Sequence, residues 1–276
     1  MKLLTFTKAL EQWMPLDWQE SYDNSGLILG DMQQEIKSAL LCTDLSDAVL
    51  DEAITMNASL IISHHPPIFN GLKKLDFQTP LGKRIQKAIQ QNIAWYSMHT
   101  NLDNGMEGVN SYLADQLQLE NRQFLSVAGQ ELSQTSMEEE GKLRPQIVSY
   151  GSGMIGDLPQ KMSESEILQF IKKEGGSGYV RYSDLQNREI KKIAICGGSG
   201  NFLIPAALAQ KADVFITGEL KYHDFTDADP RLWLIDFGHY ESERHTKDII
   251  YTYITKIFPT FAVKISQKDR NPVSYL

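Results

Sequence analysis

The residues with most chemical reach in this chain are its six histidines, His64, His65, His99, His223, His239 and His245, read against the acidic residues near them. His64 and His65 are adjacent and followed by Pro66-Pro67, His99 stands four residues before Asp103, and His239 stands four before Glu243. Neutral imidazole together with carboxylate is a donor set for zinc, iron, manganese or nickel. His64, His65, Asp103, His239 and Glu243 are more donors than one tetrahedral ion takes, so the set points to two divalent transition-metal ions. A pair of ions about 3.5 to 4 Å apart would lower the pKa of a water and turn it on an electrophilic carbon or phosphorus. Hydrolysis is the reaction class that follows.

Each element of that set has a plainer reading when taken alone. A His/Glu pair at i, i+4 is common on a solvated helix face. Neighbouring residues of a regular strand point to opposite faces, which would leave one of His64 and His65 in the core and the other capping a loop. Two prolines forbid further ladder pairing, however, so the strand must end and the chain can bend to bring both rings together.

The donors must also be brought to one edge of the fold. In open α/β sheets, ligands gather beyond the carboxyl ends of the strands. Short apolar runs at Ala39 to Thr43, Leu60 to Ser63 and Ala94 to Met98 predict strands, separated by helices over Asp47 to Met56, capped by Ser46, and from Thr79-Pro80 onward. The same order recurs at Ile193 to Cys196, Phe202 to Lys211, Val214 to Thr217, a short helix near His223, and Leu232 to Phe237. His64 and His65, His99 and Asp103, and His239 and Glu243 all follow predicted strands. The fold class is α/β, built as two related three-layer halves, with an N-terminal half over 1–127, a linker or hairpin over 128–145 and a C-terminal half over 146–276, and no large inserted domain. The acidic stretch Glu138 to Glu140 reads as a surface loop. Ser163 and Glu166 form a capping box for a helix that stops at Gly175-Gly176. A single long helix is expected after Gly238, carrying Ile249, Ile250, Tyr253, Ile254, Ile257 and Phe258 as a buried stripe and ending at Pro259.

Composition narrows the function classes. Hydrophobic residues make up 42% and charged residues 22%, which suits a globular chain with a core. Asp and Glu (35) outnumber Lys and Arg (27) for a net charge of −8, so binding to nucleic acid through phosphate contacts is not expected. No apolar run approaches a membrane span, and Lys8 and Glu11 interrupt the place of a signal peptide. Cys42 and Cys196 have no CxxC spacing and end matching strands as small buried hydrophobes. A cytoplasmic location is expected.

Six motifs in order resemble those of the Nif-three-like family, whose members are called GTP cyclohydrolase 1 type 2 homologs: Tyr22-Asp23-Asn24-Ser25-Gly26-Leu27, Ser63-His64-His65-Pro66-Pro67-Ile68-Phe69, His99-Thr100-Asn101-Leu102-Asp103, Cys196-Gly197-Gly198-Ser199-Gly200, Thr217-Gly218-Glu219 with Tyr222-His223, and Gly238-His239-Tyr240 with Glu243-Arg244. The resemblance covers most of the chain. It implies a dinuclear centre on His64, His65, Asp103, His239 and Glu243 in a cleft between two α/β halves, with Asp103 or Glu243 bridging, and a toroidal homohexamer. It also implies that Asn24 and Gly26 line the cleft.

The remaining candidates are His99, as an added ligand or a proton carrier, and Glu219 and His223, which share a short helix at i, i+4 and either carry protons or orient the ligands. Gly197-Gly198-Ser199-Gly200 reads first as a tight strand-to-helix turn and second as a phosphate cradle with Ser199 at the substrate. His245 is expected to face solvent. The leading expectation is a hydrolase of a nucleotide-like small molecule that opens the guanine ring of GTP at C8. Its rivals are a non-catalytic metal- or nucleotide-binding scaffold and a metallophosphoesterase, the latter usually needing more aspartates on its metals than the motifs here place there.

Overall fold

Short runs of β-branched and aromatic residues without polar alternation make strands buried on both faces, and such strands need helices to cover them. The computed structural model describes residues 1–132, 137–139, 142–144, 147–176 and 179–276. In chain order its strands are β1 (Gly26–Leu29), β2 (Ser38–Cys42), β3 (Leu60–Ser63), β4 (Ala94–Ser97), β5 (Glu120–Leu132), β6 (Met137–Glu139), β7 (Lys142–Arg144), β8 (Ile147–Ser163), β9 (Arg181–Tyr182), β10 (Glu189–Cys196), β11 (Val214–Thr217), β12 (Trp233–Asp236) and β13 (Ala262–Ile265).

One compact unit comprises Met1–Leu102 and Arg244–Ser274. Its sheet has the order β1-β4-β3-β2-β13. β13, β2, β3 and β4 run parallel, and β1 closes the edge antiparallel to β4. Every residue of β3 and β4 is buried, as the apolar runs demand. The helix Asp47–Thr55 starts where Ser46 Oγ accepts the Val49 N–H, and the helix Pro80–Gln90 starts where Thr79 Oγ1 accepts the Gly82 N–H. Their apolar faces meet Leu40, Ile61 and Trp95 in one core with Val49, Leu50 and Ile85.

The other unit comprises Asp103–Glu243 and Tyr275–Leu276. Its sheet has the order β5-β8-β10-β11-β12-β9, with β10, β11 and β12 parallel and β9 antiparallel at the β12 edge. Leu125, Ile155, Ala194, Leu203, Phe215 and Leu234 belong to its core. Both units thus hold three successive parallel strands joined by helices, β2-β3-β4 and β10-β11-β12, with an antiparallel edge strand beside the third, and the first unit adds β13 as a fourth parallel strand. The strand and helix order expected over 39–103 and 193–243 is found in each.

The unit boundaries differ from the sequential division at 128–145. The chain changes unit between Leu102 and Asp103 and again between Glu243 and Arg244. Of the expected linker or hairpin, the residues up to Leu132 lie on β5, which pairs antiparallel with β8 inside the second unit. Glu138 and Glu139 lie on β6, which pairs with β7, and Glu140 falls outside the described residues. Periodicity shows that a segment is a strand but not which sheet it joins, and β13 returns from the far end of the chain to lie beside β2. The second crossing also explains why the helix expected after Gly238 is two helices, His239–Glu243 and Thr246–Ile257. The first buries Glu241, Ser242 and Glu243 in one unit, and the second buries Ile250 and Ile254 in the other. Ile257 is exposed rather than part of the buried stripe. The stretch Phe202 to Lys211 likewise opens as a 3-10 turn over Asn201–Leu203 and is α-helical only over Ile204–Ala209. The Ser163/Glu166 capping box is present, and Gly176 is left-handed at the helix end.

Truncating a fully buried β2 side chain should be felt far more than losing a cap. Leu40→Ala is expected to cost about 2 to 5 kcal/mol and Ser46→Ala about 1 kcal/mol, both read from urea unfolding of the full chain.

Candidate metal centre

A histidine can hold a metal through one ring nitrogen only when that atom carries its lone pair, and the tautomer is set by what the other nitrogen touches. In the first unit, His64 and His65 continue hydrogen bonding beyond β3, their N–H groups donating to the carbonyls of Cys42 and Thr43 at 3.0 Å each. The Ser63 hydroxyl donates to the His65 carbonyl at 2.8 Å, which draws the chain back on itself. Instead of pointing to opposite faces, the two rings lie with centroids 4.9 Å apart, and His99 joins them at 5.2 and 5.3 Å. One donor atom from each of the three lies within 4.8 Å of the others.

All three are held the same way. His64 is fully buried, and its Nδ1 lies 2.7 Å from the Met98 carbonyl, an oxygen that can only accept, so Nδ1 carries the proton and Nε2 the lone pair. His65 Nδ1 lies 2.8 Å from Asp44 Oδ1 and His99 Nδ1 lies 2.7 Å from Asp23 Oδ1. Carboxylate acceptors at Nδ1 again leave Nε2 as the donor. Asp23 is itself tightly held. Its side chain is 0% exposed and accepts from the Thr100 N–H, the Thr100 hydroxyl, the Ser25 hydroxyl and the Asn24 N–H. Burial alone would push its carboxyl up, but the hydrogen bond from His99, with those from Thr100 and Asn24, holds it well below the usual carboxylate range.

In the second unit, His239 opens the helix after β12. Its Nδ1 lies 2.9 Å from Glu219 Oε2 and its Nε2 lies 3.0 Å from Glu243 Oε2. Two donors about 2.1 Å from one ion stand roughly 3 to 3.4 Å apart, so Nε2 and Oε2 are spaced for a shared cation. Glu243 is buried against the turn after β10. Gly198 is left-handed there (φ +62°), and a Cβ on it would collide with Glu243 Oε1. Asn110 ties the same turn to Asp103: its Nδ2 donates to the Asp103 carbonyl at 3.0 Å and its Oδ1 accepts the Gly197 N–H at 2.9 Å. Asp103 ends the short helix Thr100–Asp103 and is half-buried.

Other candidates take different places. Glu219 lies in the loop after β11, and the helix that carries His223 begins only at Tyr222, so the two do not share a helix. The carboxylate of Glu219 orients His239, whereas His223 is exposed and stands edge-on to Tyr222 at 5.4 Å. The N–H groups of Gly197, Gly198 and Gly200 are taken by Asn110 Oδ1, Ser242 Oγ and Thr217 Oγ1, so this stretch is a tight turn rather than a phosphate cradle. Ser199 is exposed at its tip. Asn24 donates from Nδ2 to the Ile68 carbonyl at 2.6 Å, which ties down the segment after His64 and His65. Gly26 is buried at the start of β1, with φ +109°. His245 is half-buried beside Asp248 rather than turned to solvent. The orienting roles of Asp23, Asp44 and Asn110 were not found by sequence reasoning, although Asp23 stands in one of the motifs, because each meets its partner across 21 to 87 residues of chain.

The fold and these groups define an α/β protein of two sheets with candidate metal-binding clusters of histidine and carboxylate at the carboxyl ends of parallel strands. The chain belongs to the Duf34/NIF3 (NGG1p interacting factor 3) family, whose profile matches residues 1–272. A Campylobacter jejuni protein named GTP cyclohydrolase 1 type 2 homolog is 33% identical over the whole of both chains. A Clostridium perfringens protein of the same name is 33% identical over 88% of this chain and 87% of its own. Among solved structures, Staphylococcus aureus protein SA1388 is similar with a TM-score of 0.86 and 30% identity, covering 100% of this chain and 99% of that one. A Bacillus cereus protein related to NIF3 shares the fold at a TM-score of 0.85 and 22% identity, covering 100% and 99%.

The Gly198 turn gives a direct test of the packing around Glu243. Gly198→Ala is expected to cost about 1 to 3 kcal/mol in urea unfolding, since a strained φ and a displaced carboxylate are both imposed. Gly71→Ala, whose Cβ would meet no atom within 4 Å, is expected to stay within about 0.5 kcal/mol of the parent.

Proposed function

We infer that this protein is a metal-dependent hydrolase in which His64, His65, Asp103, His239 and Glu243 hold two divalent transition-metal ions, zinc, iron or manganese. The observation that carries this reading is the pinning of His64 and His65 through Nδ1 to oxygen acceptors, which leaves their Nε2 atoms as donors, beside a His239 Nε2 that stands 3.0 Å from Glu243 Oε2. Ions held by this set would supply Lewis acidity and make water nucleophilic near neutral pH. The chain's own part is to position and to move protons. Asp44, Asp23 and Glu219 keep the rings of His65, His99 and His239 oriented. Of the expected proton carriers His99, Glu219 and His223, His99 is the best supported, because Asp23 holds its Nδ1 proton and leaves Nε2 to accept another.

The substrate we propose is a nucleotide-like small molecule, with GTP opened at C8 of its guanine ring and formate released. The shared name of the curated relatives supports that choice. The site of action we propose is the cytoplasm, in keeping with Cys42 and Cys196 as buried thiols; no helix among the described residues is long and apolar enough to cross a membrane. A homohexameric ring belongs to the same reading and is testable by light scattering.

Elemental analysis of the purified protein should find two transition-metal ions per chain, and His64→Ala and Glu243→Ala should lower that content. Protein that takes up no transition metal would overturn the reading, and metal without formate from GTP would remove the substrate while leaving the centre. Glu219→Gln should weaken metal binding about 10- to 100-fold, measured by competition with a chromophoric chelator.

A further inference from the structure

A group of buried charges outside the donors themselves lies at the carboxyl end of β2. Because β13 runs parallel to β2, the residues after β13 emerge beside Thr43 and Asp44, the two residues that follow β2. The segment Ser266 to Asp269 is fastened there on both sides. Ser266 N–H donates to the Leu41 carbonyl at 2.9 Å, and Glu52 accepts from the Ser266 hydroxyl at 2.5 Å and the Gln267 N–H at 3.0 Å. Asp269, with its side chain 1% exposed, accepts the Thr43 N–H at 2.9 Å through Oδ2 and the Asp44 N–H at 3.5 Å through Oδ1. Lys247, 10% exposed and on the helix Thr246–Ile257, pairs with the same carboxylate at 2.5 Å.

Two hydrogen bonds carry this arrangement onward to His65. The Thr43 carbonyl accepts the His65 N–H at 3.0 Å, and Asp44 Oδ1 accepts His65 Nδ1–H at 2.8 Å. The Asp44 side chain is 42% exposed. A half-exposed aspartate has several rotamers open to it, so its aim depends on where its backbone is fixed. A buried ion pair adds little to stability over apolar residues of similar volume, and its geometry is the better guide to its use. Here the carboxylate accepts from the two N–H groups that set the Asp44 backbone.

We propose that Asp269, held by Lys247, is a positioning residue for the metal centre: it fixes the Thr43–Asp44 turn so that Asp44 keeps His65 in the Nδ1–H tautomer with Nε2 as the donor. This rests on the reading of His65 as a metal ligand. The part that concerns the tautomer does not.

The test uses metal-free, full-length protein labelled with 15N-histidine at about pH 8, above the usual imidazole range. Long-range 1H–15N correlation spectra report the tautomer of each ring, with His65 assigned through His65→Gln. Lys247→Met/Asp269→Leu removes both charges together, so no ion is left buried alone. In that variant His65 should move from the Nδ1–H form toward the Nε2–H form that unconstrained imidazole prefers, while His64 and His99 keep their tautomers. Asp44→Asn should shift His65 in the same direction. Zinc affinity should fall about 10- to 100-fold in the double variant, and adding Asp44→Asn to it should cause little further loss. Where the double variant does not fold, Asp269→Ser, whose hydroxyl falls short of the Thr43 N–H and leaves room for water, reads the same signal. An unchanged His65 tautomer in either folded variant overturns the proposal even if zinc still binds. A tautomer shift with unchanged zinc affinity upholds the positioning of His65 and overturns its assignment as a ligand.

Discussion

An imidazole becomes a dependable ligand only when its second nitrogen is occupied, and that requirement organises the ends of the parallel strands here. His64 uses a backbone carbonyl, His65 and His99 use aspartates, and His239 uses a glutamate. Each acceptor belongs to an element other than the one that carries its histidine: the Met98 carbonyl follows β4, Asp44 follows β2, Asp23 precedes β1 and Glu219 follows β11. The orientation of every ring is therefore a tertiary property, built from sheet order and loop contacts rather than from local sequence.

The two units solve this problem with one plan. In each, a histidine follows the last of the three helix-linked parallel strands, His99 after β4 and His239 after β12, and an acid stands four residues further on, Asp103 and Glu243, both of which belong to the second unit. The turn after the second parallel strand then contributes either two histidines, His64 and His65, or the orienting Glu219. The turn after the first contributes Asp44 in one unit and the left-handed Gly198 in the other. Related topology has thus been given unequal side chains, so that one unit is rich in imidazole and the other in carboxylate.

Much of this was legible in the sequence, and the rest was hidden for identifiable reasons. The strands Leu60–Ser63 and Val214–Thr217 were read to the residue because apolar runs bounded by turn residues leave little choice. The caps Ser46, Thr79 and Ser163 were visible because a cap is a local device. Candidate donors such as His65 and Glu243 stood out by type and by position after strands. Their supporting residues did not, since nothing about Asp23, Asp44 or Asn110 in the linear chain distinguishes them from surface polar residues. The crossings at Leu102–Asp103 and Glu243–Arg244 were equally hidden, because a helix broken at Glu243 and a helix continued through it have almost the same periodicity.

The parallel pairing of β13 with β2 has a bearing on biosynthesis. Domains often begin to fold as they leave the ribosome, but the sheet that carries His64 and His65 lacks an outer strand until translation has passed Ile265. The early part of the nascent chain must therefore wait, with the flank of β2 uncovered, for a strand made long after β2 itself. A ribosome that stalls between His245 and Ala262 would carry a chain with His64 and His65 long since made and the seat of His65 unfinished.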